Sequence, residues 1–244
     1  MDVTRWRRWR RRVVIIGVTW AMAALTFGFI KDPTPKGLAV IVAIPASGLY
    51  TLALWATRRW WLPVLARRPV RNAILLGIFN AAVVETMFLI MEKVTGAKGV
   101  AAHPNLIADL LITMPWYVPM VWTFVRVQNR QRFAAVTVLL LAGLYESGAD
   151  GVLAKWLLPV VTGQMHPFNP GFFLLLVLVM FWGFIPVYSS FLLPPAWVLE
   201  ASRPAVEPPP LPQTPAWRDA LKPLLWLIAY AAIAVPIMML GGGK

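Results

Sequence analysis

Seven apolar runs alternate with short polar stretches along the chain, at 13–30, 37–57, 72–92, 105–126, 133–154, 170–193 and 220–240. A helix needs about 20 mostly apolar residues to cross the hydrocarbon core of a bilayer, and each run is close to that length. The pattern predicts an all-α, polytopic transmembrane bundle of about seven helices. Pro45, Pro115, Pro119 and Pro186 fall inside predicted spans. Proline is tolerated there when neighbouring groups satisfy the backbone it frees. The first run follows RWRRWRRR (5–12) and contains AMA at 21–23, much as a signal peptide would. Its apolar character continues past that point, so an uncleaved first span is expected.

Charge orients the pattern. Six Arg precede residue 13, five lie in 58–71, three in 126–132, and Arg203, Arg218 and Lys222 flank the last run. These seventeen fall on one side of an alternating seven-span layout, and the other side holds six Lys. Lys and Arg accumulate in cytoplasmic loops. The N-terminus is therefore expected inside and the C-terminus outside, in a plasma (inner) membrane. The organisation predicted is a basic tail (1–12), a six-helix bundle (13–193), a Pro-rich cytoplasmic loop (194–219), and a seventh helix with an outer end (220–244). The Pro-rich stretch through 194–217 is either a semi-rigid linker or a docking strip for a cytoplasmic partner.

Composition agrees: 59% of the residues are hydrophobic and 14% charged, against roughly 25% charged in soluble domains. The net charge of +13 comes from Arg clusters at the ends of apolar runs. Their partners are expected to be anionic lipid headgroups rather than nucleic acid. The chain has no Cys, which removes disulfides, iron–sulfur clusters and c-type haem. Its two His lie outside the runs, against a bis-His haem. The last run has only Lys222, at its inner end, so no retinal is expected.

Candidate chemistry rests on carboxylates. Of ten acids, Asp2, Asp32, Glu200, Glu207 and Asp219 fall in tails, loops or helix ends and call for no special explanation. Glu92 stands at an outer interface. Glu85, Asp109, Glu146 and Asp150 lie inside apolar runs, where an ionisable group is a functional-site hypothesis by default. At 1.5 Å per residue, Glu85 is roughly 21 Å outward from Arg71 and Glu146 roughly 21 Å from Arg132. Asp109 is roughly 25 Å from Arg126, and Asp150 roughly 27 Å from Arg132. The four are therefore expected in one outward-facing pocket on the third to fifth spans. Trp116 and Tyr117, beside two prolines, would shape its floor, and Tyr145 would offer a hydroxyl.

The outer stretches VTGAKGVAAHPN and VTGQMHPFN share an order: VTG, His-Pro, Asn, then a helix. Either Asn caps the helix and Pro stiffens its entry, or His103 and His166 overhang the pocket. The expected function is binding of a cation, proton or small or lipid ligand. One alternative is a metal-dependent hydrolase of lipid-linked substrates, with a divalent ion on Glu85, Asp109, Glu146 and His103. Its layout resembles that of lipid hydrolases holding zinc in the membrane, but their denser His pattern is absent here and no family follows. Another alternative is a non-catalytic assembly subunit, in which the acids serve structure alone.

Overall fold

A computed structural model describes residues 3–148, 170–203 and 215–241. The described residues are helical, with no strand among them. The helices are α1 (Val3–Lys31), α2 (Pro35–Leu65), α3 (Pro69–Thr95), α4 (Leu106–Gln131) and α5 (Ala135–Glu146). After residues outside the description come α6 (Pro170–Gly183), α7 (Ile185–Ala201) and α8 (Ala216–Gly241). By length and composition, α1 to α4 can each cross a membrane. A fifth crossing arises if α6 and α7, bent by 42° at their junction, form one broken span. The described residues thus give four to five candidate spans where the pattern predicted seven. The 133–154 run is seen only in part, as the 12-residue α5.

The helix ends follow local chemistry. Thr34 caps α2, its hydroxyl accepting from the Gly37 N–H at 3.0 Å, and Pro35 opens the first turn where its missing N–H costs nothing. Gly96, at φ 68°, closes α3 in the left-handed conformation. Asn105 caps α4, its side chain accepting from Ile107 and Ala108. The capping reading of that Asn is the one the structure shows. Arg132, at φ 52°, turns the chain from α4 into α5. The Gln128 side chain steadies that turn by holding both backbone groups of Phe133.

The hub is α7, with 13 of its 17 residues buried. It packs on α2, α3 and α5, while α1 lies against α6 and α8 against α4. Outward faces are apolar too, with Ile16, Phe27, Leu49, Phe79, Ile107 and Leu111 all exposed. An apolar exterior around an apolar core is what a lipid solvent requires.

One prediction needs correction. LPPAWVLEA (193–201), read as the start of the Pro-rich loop, is helical to Ala201, and Pro194 and Pro195 lie inside α7. Proline removes the donor for the carbonyl four residues back. For Pro194 that carbonyl belongs to Ser190, and the Asn80 side chain of α3 supplies the missing donor at 3.1 Å. The Asn80 carbonyl in turn accepts from the Tyr50 hydroxyl of α2 at 2.7 Å. Pro195 is accommodated beside Gly77, where an added Cβ would stand 3.1 Å from both the Phe191 carbonyl and the Pro195 ring. The helix survives its prolines because α3 is shaped to complement them.

Candidate functional site

The α3–α4 connection is built by carboxylates. Glu92 is buried and accepts from the N–H groups of Val100 and Ala101, at 2.6 and 2.9 Å. Lys36 of α2 donates to the Gly99 carbonyl at 2.6 Å. Asp109, in the first turn of α4, is fully buried, and its Oδ1 accepts from the His103 N–H at 3.0 Å. The N-terminus of a helix favours a carboxylate there. His103 Nδ1 accepts from the Asn105 N–H, so the imidazole faces its own loop with one nitrogen engaged. Oδ2 of Asp109 is buried and has no hydrogen-bond partner among the described residues. A buried carboxylate oxygen without a donor is costly unless it is protonated or meets a cation or a ligand donor.

The other predicted residues stand on the helices, away from this connection. Glu85 is half-buried on α3, about 10 Å before Glu92 along the helix at 1.5 Å per residue. Trp116 and Tyr117 are buried, and Tyr117 packs against Tyr188 and Phe191, with centroids 6.2 and 5.3 Å away. They belong to the aromatic core around α7. Tyr145 is fully buried, and its hydroxyl donates to the Ala220 carbonyl at 2.8 Å, joining α5 to α8.

Tyr145 also meets Phe124 edge-on, with centroids 6.5 Å apart. Phe124 is fifteen residues along α4 from Asp109, roughly 22 Å. Glu146, next in sequence and 1% exposed, therefore stands near the Phe124 level and far from Asp109. Just after it the helix widens into a π turn at Ser147 and Gly148. Asp109 and Glu146 thus stand at different levels of the bundle. Among the described residues, no three His, Asp or Glu side chains are placed to hold a metal ion. Asp150 and His166 lie outside the described residues.

A carboxylate passed over in the sequence is the most heavily partnered. Asp219, in the first turn of α8, is fully buried. It is reached by Arg130 and Gln131 of α4, and by Lys222 at 2.7 Å. Nearby, Arg203 donates to the Gln128 and Asn129 carbonyls in the last turn of α4, where carbonyls run short of helical partners; that of Gln128 also accepts from the Arg132 N–H. Burial, together with the charge of Arg132, lowers the Arg203 pKa from its ordinary value, and Glu200 opposes that shift. The i,i+3 spacing of Asp219 and Lys222, among Arg-rich segments, was the available sequence signal. Four Arg–Trp stacks surround this end: Arg58 on Trp55, Arg59 on Trp60, Arg126 on Trp122 and Arg218 on Trp217.

No family model, curated protein or solved structure matches the chain.

Proposed function

We propose that the chain is a seven-helix, multi-pass plasma-membrane (inner-membrane) protein, N-terminus inside and C-terminus outside, which binds a proton or small cation at outward-facing buried acids. The observation that carries this reading is Asp109, wholly buried yet with Oδ2 open. The different levels of Asp109 and Glu146 in the bundle favour a proton or a singly held cationic group. A divalent ion takes several oxygen or nitrogen ligands around one point, whereas a proton needs one carboxylate. Alternation of Arg-rich and Lys-bearing segments supports the orientation.

A second reading, the assembly subunit, draws on the grip of Glu92 and Asp109 on loop amides. In it the acids only fasten the outer loop. Thermal unfolding of purified protein across pH and with Na⁺, K⁺, Mg²⁺ or Ca²⁺ separates the two. Binding of a ligand to the folded state alone raises the melting temperature in proportion to its occupancy. The proposal expects acid or one cation to stabilise the wild type and to have no such effect on Asp109→Asn. Parallel profiles, offset by a constant loss in the variant, would leave only the fastening role.

A further inference from the structure

At the Arg-rich end, α3, α4 and α8 enclose a cleft of about 460 Å³ that the outer acids do not touch. Val70 and Trp122 give it apolar walls, Thr123 a hydroxyl, and Arg126, Arg130 and Lys222 three cations. The Arg126 guanidinium stands over the Trp122 ring, 4.2 Å from its centroid. It is exposed and makes no ion pair among the described residues. Arg130 and Lys222 lean on buried Asp219 from one side, and their side chains keep 42% and 43% exposure. One acid behind three cations leaves the cleft net positive. The Thr123 hydroxyl accepts from the Trp226 indole N–H at 2.7 Å, which orients it on this wall.

We propose that this cleft is a specific site for the phosphate of an anionic glycerophospholipid. The Arg126 and Arg130 guanidinium groups and the Lys222 ammonium would hold the phosphate oxygens, and Val70 and Trp122 the glycerol and first acyl carbons. Arginine suits phosphate because its planar fork donates two parallel hydrogen bonds. A membrane lipid is the fitting source because the cleft sits among the Arg–Trp stacks, and Trp and Arg are the side chains of the headgroup zone. A zwitterionic lipid carries the same phosphate, but its ammonium would meet three like charges. Asp219 acts as a positioning residue, holding two of the three cations at the cleft's edge.

The test uses the full chain, delipidated in neutral detergent and followed by native mass spectrometry. It is titrated with phosphatidylglycerol, with phosphatidylcholine, and with phosphatidylglycerol against inorganic phosphate. One phosphatidylglycerol is expected to bind about tenfold more tightly than phosphatidylcholine, the size of one like-charge contact near a protein surface. Arg126→Gln, at an exposed position, should remove that preference, and Arg126→Lys should keep part of it. Arg58→Gln, which deletes a cation of the same end outside the cleft, should leave it intact. Equal affinity for the two lipids, or a preference that survives Arg126→Gln, would overturn the site. Displacement of the lipid by inorganic phosphate would overturn the lipid as its occupant.

Discussion

The Asn80 contact gives the sharpest test of how this bundle is held together. Asn80 is fully buried, and its amide donates to the Ser190 carbonyl that Pro194 leaves without a helical donor. Truncation in Asn80→Ala leaves the buried Ser190 carbonyl and the half-buried Tyr50 hydroxyl without these partners. Hydrogen bonds between membrane helices average about 0.6 kcal/mol, but an unsatisfied buried group costs about 1–3 kcal/mol. With two groups stranded and a small cavity, a loss of about 2–4 kcal/mol is expected.

The mechanism predicts more than the size. Pro194→Ala restores an N–H four residues from Ser190, so the carbonyl no longer needs Asn80. In that background Asn80→Ala should cost about 1 kcal/mol less than in the wild type. Tyr50→Phe serves as the control, because Tyr50 bonds the other end of the amide. Its cost should be the same with or without Pro194. Equilibrium unfolding in mixed micelles, titrated with SDS and followed by far-ultraviolet circular dichroism, gives all four free energies of each cycle. If Asn80→Ala costs the same in both backgrounds within about 0.3 kcal/mol, the compensation account is wrong.

Two further outcomes follow from close contacts. Glu92→Ala removes the acceptor for Val100 and Ala101, each bond to a charged group being worth about 1.5–3 kcal/mol. Hydrogen exchange in the 96–105 segment should speed up at least about tenfold while the helices keep their protection, and unchanged exchange would contradict the fastening role. Gly143→Ala places a Cβ 2.4 Å from the Phe181 carbonyl, backbone that cannot turn aside. A loss of about 1–3 kcal/mol is expected in the same SDS titration, and a neutral result would mean that α5 and α6 can separate freely.

Much of the bundle was legible, because a bilayer imposes a length on each apolar run and α1 to α4 have that length. What escaped depended on partners distant in sequence. Pro194 and Pro195 look like the end of a helix in the local sequence. They lie within one because Asn80 and Gly77, over a hundred residues earlier, complement them. Asp219 looks like a solvated helix end until Arg130 and Gln131, nearly ninety residues away, are brought to it.

The depth ladder rested on its Arg markers. It took Arg126 and Arg132 as markers of one level, but α4 runs five residues past Arg126, about 7.5 Å further. Asp109 was therefore placed too deep relative to that end, while Glu146, on a helix that starts only at Ala135, was placed too far out. Measured from the helix ends instead, Asp109 and Glu146 stand at different levels, while Asp150 lies outside the described residues. Position changes the chemistry on offer: carboxylates grouped around one point can chelate, whereas one apart from the others can hold a single proton or cation, or fasten a loop as Glu92 does. The polar groups that do converge are at the opposite end, around Asp219, where the charge in excess is positive and the matching ligand is an anion.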